Sequence, residues 1–305
     1  MADPCRRPIR QLASSLTGTI IAAAELEKIV HFWDVGSRQF VRNLYTSLDF
    51  GGERLAISAD GLICVTGAYN SAGVVCYAID TGKVLWRRGD ISHPQNISIT
   101  PDDARILVGA DSQSFILNRA DGTTTQTVRD VSRIVESPWG GAVFLGGSRM
   151  KLTSVRGHER ILPRLTFAEL GVAFSPLAVC ISESGGPIRC WDLTGGTELW
   201  RYFVKGHHAI QLCYSRSENV FYGLDLEYKQ EGKCQVLRFD PEKGQANIAV
   251  ERGNLRTSVF CLDGRYIISS DGTLIETMTG EVSGQLWNQC CGPANCEGAD
   301  IRDKR

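Results

Sequence analysis

The densest run of metal-ligating side chains in the sequence is Cys290-Cys291-Gly292-Pro293-Ala294-Asn295-Cys296. Thiolates at short spacing hold zinc, but a closed tetrahedral site needs four ligands, and these three have no second pair and no histidine nearby. Cys290, Cys291 and Cys296 are therefore weak metal candidates in a polar tail, 288–305, that ends in Arg302-Asp303-Lys304-Arg305. His207-His208 follows Gly206 without a Cys or His cluster at ligand spacing, so His207 reads as structural and His208 as solvated. Asp34, Asp80, Asp192 and Asp240 could suggest paired carboxylates for acid/base work, yet each is expected at the same repeat position, where an Asp caps the hairpin by accepting backbone N–H bonds. Gly140-Gly141-Ala142-Val143-Phe144-Leu145-Gly146-Gly147 reads as a turn entering a strand and not as a phosphate loop opening a helix. There is no Gly-x-Ser-x-Gly elbow and no His-Glu-x-x-His. These residues predict no catalytic group, no metal and no cofactor.

Composition narrows the class of partner. Lys and Arg total 33 against 34 Asp and Glu, for a net charge of -1 with no block of like charge, so the basic field that attracts phosphate backbones is missing. Nucleic acid is not an expected partner. No apolar run reaches the 18 or so residues of a membrane helix, so no membrane partner is expected either. Eleven cysteines, several inside apolar runs such as Leu62-Ile63-Cys64-Val65 and Ala178-Val179-Cys180-Ile181, suit free thiols in a reduced, cytoplasmic setting. Arg6, Arg7 and Arg10 before Leu12–Ala24 loosely imitate a secretory leader, but the polar residues in that stretch and the repeat below assign it to strands.

The elements that must position these side chains come from a repeat. Glycines expected to close one particular turn recur at Gly36, Gly82, Gly122, Gly157, Gly195, Gly244 and Gly280, six steps with a mean of about 41 residues. That matches the 40–45 residues of a four-stranded propeller blade. Within each unit, apolar residues alternate with period two between polar turns, as half-buried antiparallel strands require. Residues 54–86 show it: Arg54–Ile57, Leu62–Thr66, Val74–Ile79 and Val84–Trp86, with Asp80-Thr81-Gly82-Lys83 as the last hairpin. The predicted fold is all-β, one seven-bladed propeller over 1–287. Its blades are expected at about 10–46, 47–91, 92–130, 131–165, 166–206, 207–253 and 254–287. Trp33, Trp86, Trp191, Trp200 and Trp287 fall at equivalent third-strand or fourth-strand positions and are expected to pack between blades with the indole N–H satisfied locally. Trp139, in a first-to-second strand turn, is also expected to pack against its blade.

Trp33-Asp34 and Trp191-Asp192, Phe174-Ser175-Pro176, Ile99-Thr100-Pro101-Asp102 and Gly206-His207 resemble the WD40-type repeat superfamily. Ile79-Asp80-Thr81-Gly82-Lys83-Val84-Leu85-Trp86 and Asp192-Leu193-Thr194-Gly195-Gly196-Thr197-Glu198-Leu199-Trp200 are similar to quinoprotein-like (YVTN-type) repeats. The resemblance implies a non-catalytic scaffold, monomeric alone, that binds one or more proteins. The expected surface is the face of second-to-third strand loops and inter-blade connections, with Glu27, Tyr69, Asn70, Asp111, Gln113, Arg133, Arg149, Glu169, Glu183, His208, Tyr228, Lys229 and Arg256 displayed there. Two alternatives stand beside it. One is an immunity or inhibitor protein that caps a toxin or enzyme; the other is a propeller enzyme, a quinone-dependent dehydrogenase or metal-dependent lactonase.

Overall fold

A computed structural model describes residues 9–25, 28–46, 54–68, 73–111, 113–146, 149–153, 159–162, 169–183, 186–203, 208–227, 233–253, 258–269 and 271–286. These form 28 strands in seven four-stranded antiparallel sheets, and no helix. Among the described residues, therefore, no helix is long and apolar enough to cross a membrane. Each sheet is a meander in sequence order: 9–45, 55–88, 94–129, 133–162, 169–202, 208–253 and 258–285, hereafter blades 1 to 7. No described sheet mixes strands from distant parts of the chain.

Burial is greatest in the second strands, less in the first strands that line the channel, and least in the fourth, which explains the composition of each strand. Second strands are covered on both faces by neighbouring blades, so Ile63–Ala68 in blade 2 and Ala178–Glu183 in blade 5 are buried at every position. They read as continuous apolar runs with small polar residues. Fourth strands lie at the rim and are mostly exposed, as in Thr124–Arg129 of blade 3. Apolar clusters sit between adjacent sheets: Ala22, Phe32 and Leu44 of blade 1 pack on Leu55, Cys64 and Tyr77 of blade 2. The ring closes the same way, with Trp33 and Val35 of blade 1 against Ile268, Leu274 and Leu286 of blade 7.

The fourth strand of one blade rests on the third-to-fourth hairpin of the next. Trp86 donates its indole N–H to the Arg119 carbonyl at 2.8 Å, and Trp200 does the same to Pro241 at 2.8 Å. Each ring covers a hairpin glycine, Gly122 or Gly244, where an added Cβ would lie 2.7 or 2.5 Å from the indole. Blade 1 has Arg42 in that place, and its Nη1 donates to the carbonyls of Ile79 (3.0 Å) and Asp80. The satisfied indoles thus bind between blades, as the packing role requires.

Two turn assignments need correction. These hairpins close on a bond from the left-handed residue to the carbonyl four back, as in Gly82 N–H to Ala78 and Gly244 N–H to Asp240. By that register the closing residue of blade 5 is Gly196 (φ +64) and not Gly195, while blade 1 uses Arg38 (φ +59) and not Gly36. Asp34, Asp192 and Asp240 start their hairpins and cap them through Ser37, Thr194 and Gly195, and Glu242 and Lys243 respectively. Asp80 lies two places later and is not their equivalent, since Ala78 starts that hairpin. Gly157 and Trp287 lie outside the described residues.

Candidate functional site

A broad concavity lies where the first-to-second strand turns converge on the axis. It is a depression of about 960 Å³ walled by turns of blades 1, 2, 3, 4, 6 and 7. A channel of about 650 Å³ continues from it, lined by the first strands of all seven blades.

A hydroxyl recurs at the first position of six of these turns: Ser15, Ser58, Thr100, Ser137, Ser175 and Ser215, all buried. The oxygen accepts a backbone N–H from its own turn, from Ile20 (3.1 Å), Ile63 (3.0 Å), Arg105 (3.0 Å), Trp139 (3.1 Å) and Ala178 (2.9 Å) in blades 1 to 5. In blades 2 and 3 the hydroxyl also donates to Asp60 or Asp102 at 2.5 Å. That bond, with the Ala104 N–H, holds the Asp102 carboxyl below the usual range. Burial alone would raise Asp60, but the bonds from Ser58, Leu62 N–H and Arg119 outweigh it and leave its carboxyl lowered. A second set of bonds locks turn to turn. Asp103 accepts the N–H groups of Ala59 (2.7 Å) and Asp60 (2.9 Å) from the preceding blade. Asp263 does the same for Arg216 (2.8 Å) and Ser217 (3.0 Å). The rim of the depression is consequently held by hydrogen bonds between side chains and backbone N–H groups, within turns and from turn to turn.

Side chains then shape the depression and the channel below it. Arg105 of blade 3 pairs with Glu136 of blade 4 at 2.9 Å, and burial raises the Glu136 carboxyl in spite of that cation. Trp139 leaves blade 4 and reaches Tyr214 of blade 6, ring centroids 5.5 Å apart at 83°. The Arg216 guanidinium stands 4.8 Å from the Trp139 centroid. The blade between them has a short turn, closed by the Ser175 N–H to Ala178 carbonyl bond. Trp139 packs on the apolar cluster of its own blade and blade 5, as expected, and also reaches blade 6, a contact the sequence reading missed.

The predicted display residues are distributed unevenly. Asp111 is exposed in the second-to-third hairpin of blade 3, and Gln113 beside it is half-buried. Arg133 opens the first strand of blade 4 and lines the channel. Glu183 is a correction: its side chain has no exposed surface, and its carboxylate meets Arg189 Nε at 2.9 Å, an ion pair inside blade 5. Arg149, Glu169 and His208 begin described strands, but their side chains lie outside what is described. Glu27, Tyr69, Asn70, Tyr228, Lys229, Arg256, His207, Cys290, Cys291 and Cys296 lie outside the described residues. Among those that are described, no group of three or more His, Cys, Asp or Glu is placed to hold a metal.

Two solved structures match nearly the whole ring. "Crystal structure of RRP9 WD40 repeats" is similar at a TM-score of 0.67 and 11% identity, covering 92% of this chain and 91% of that one. The chain has the WD40-type propeller fold. "Structure of U3-55K" matches the propeller at a TM-score of 0.64 and 10% identity, covering 87% of this chain and 88% of that one. No protein-family model matches the sequence, and no curated protein is similar to it.

Proposed function

We propose that this WD40-type propeller is a non-catalytic protein-interaction module, and that it seats a polypeptide segment in the depression formed by the first-to-second strand turns. The observation that carries the reading is the wide concavity, its rim held by hydrogen bonds to backbone groups, which contains the Arg105–Glu136 pair and opens into a channel lined by Trp139 and Tyr214. Aromatic and arginine side chains are the residue types that anchor protein partners.

Affinity purification with two sets of variants tests it. Trp139→Ala and Arg216→Glu alter this face, whereas Asp111→Arg and Gln113→Glu alter the opposite one. The reading expects the first set to release a co-purifying protein that the second set retains. Release by the second set alone would move the interface to the face of second-to-third strand loops and refute the assignment. If the captured partner were an enzyme or toxin silenced by binding, the inhibitor role would be the form the interaction takes.

A further inference from the structure

Cys180 and Cys190 face each other across the second and third strands of blade 5. Their pairing type follows from the bonds at either end of that ladder. Leu193 N–H donates to the Leu177 carbonyl at 2.8 Å, and Glu183 N–H donates to the Pro187 carbonyl at 3.3 Å. Antiparallel pairs alternate between bonded and non-bonded, so counting inward from Leu177/Leu193 or from Glu183/Pro187 makes Cys180/Cys190 a non-hydrogen-bonded pair. Such pairs bring the Cα atoms to about 4.5 Å, with side chains pointing to the same side. A disulfide spans Cα separations of roughly 4.4–6.8 Å, so the register places these two free cysteines in the range a disulfide bridges. Both residues are fully buried against Trp200, Phe221 and Phe239.

The pair in blade 2 supplies a contrast. In blade 2, Cys64 faces Tyr77 and Cys76 faces Val65, so the two thiols project from opposite sides of the sheet. They accordingly belong to different clusters, Cys64 toward blade 1 and Cys76 toward blade 3.

We propose that Cys180 and Cys190 are a disulfide-forming dithiol that staples the second strand of blade 5 to the third when the chain meets a small-molecule disulfide such as oxidised glutathione. One protein thiol, deprotonated as the hairpin opens, attacks a sulfur of the oxidant, forms a mixed disulfide and releases one glutathione thiolate. The other then attacks the mixed disulfide and expels the second glutathione. The protein loses two electrons and two protons, and the oxidant becomes two thiols. Burial makes opening of the blade the gate to the reaction. The staple lies beside the buried Glu183–Arg189 pair and fixes the hairpin that carries the blade 5 loop.

Disulfide mapping tests this. The full chain is equilibrated with graded ratios of oxidised to reduced glutathione in sub-denaturing urea, quenched in acid, unfolded, alkylated with N-ethylmaleimide and digested with trypsin. Cleavage after Arg189 separates the two cysteines into peptides 165–189 and 190–201. The expected product is those two peptides linked, without maleimide, at ratios where Cys64 and Cys76 both carry it. Maleimide on both Cys180 and Cys190 at every ratio would overturn the proposal, as would equal linkage of either to another cysteine. In Cys190→Ser, checked for folding by near-ultraviolet circular dichroism, Cys180 should stop at the glutathione adduct. If that variant does not fold, the map of the unaltered chain decides alone.

Discussion

At the scale of single residues, the recurring theme is a carboxylate or hydroxyl spent on backbone N–H groups. Asp102 accepts from the Thr100 hydroxyl at 2.5 Å and the Ala104 N–H at 3.0 Å, and both favour the ionised form. A carboxyl whose folded pKa is lowered stabilises the fold above its unfolded value of about 3.9, and that contribution is lost as pH falls through the lower folded value. Asp102→Asn keeps an acceptor but removes the titration. Urea midpoints measured stepwise from neutral pH to about pH 2 should fall less steeply for the variant than for the parent. An identical acid limb would show that the bond to Thr100 does not depend on charge. The same theme explains why Asp34, Asp192 and Asp240 were legible in the sequence as caps, whereas the six buried hydroxyls were not. Ser and Thr are common in turns, and only the spacing of Ser15, Ser58, Thr100, Ser137, Ser175 and Ser215 marks them as one position.

At the scale of the strand and hairpin, the contact that repeats is a fourth-strand side chain laid on the next blade's turn. Trp200 shows it fully: an N–H to the Pro241 carbonyl, a ring stacked on Phe239 at 5.7 Å and Gly244 beneath. Trp200→Ala should cost about 3–5 kcal/mol in urea unfolding. Trp200→Phe, which keeps most of the packing but orphans the carbonyl, should cost less. Equal losses would mean that the hydrogen bond and not the ring dominates. Alternation of apolar residues and the period of about 41 made the seven blades and their four strands readable in advance. Turn register was less so: a Gly-Gly pair at 195–196 and a non-glycine closer at Arg38 both misplace the left-handed position by counting glycines alone. Glu183 was misjudged because a charged residue at a strand end usually faces water, and only the partner across the strand, Arg189, reveals that it is covered. Trp139 reaches past blade 5 to Tyr214 of blade 6, a relation between units that no single repeat displays.

For the whole molecule, stability rests on the seams between blades. The join of blades 1 and 7 is made by side chains and close backbone packing. Arg38 Nη2 donates to the Ser283 hydroxyl at 3.0 Å, and Gly18 presses on the Leu262 backbone. A Cβ at position 18 would lie 1.9 Å from the Leu262 nitrogen, at a φ of +69°. Gly18→Val should therefore lower the unfolding free energy by about 2 kcal/mol or more, since it adds overpacking to backbone strain. Gly89→Ala, with nothing within 4 Å of the new methyl group, is the matched control and should change it by less than about 0.5 kcal/mol. Comparable losses in both would mean that the seam tolerates separation.

Because every described sheet is woven from one uninterrupted stretch of chain, the order in which the blades are synthesised is separable from the order in which they stand in the ring. Circular permutants that join the present ends by a flexible linker and open the chain between blades 3 and 4, or between 5 and 6, would cut no hydrogen-bonded ladder. They should reach the same β-rich circular dichroism spectrum as the parent.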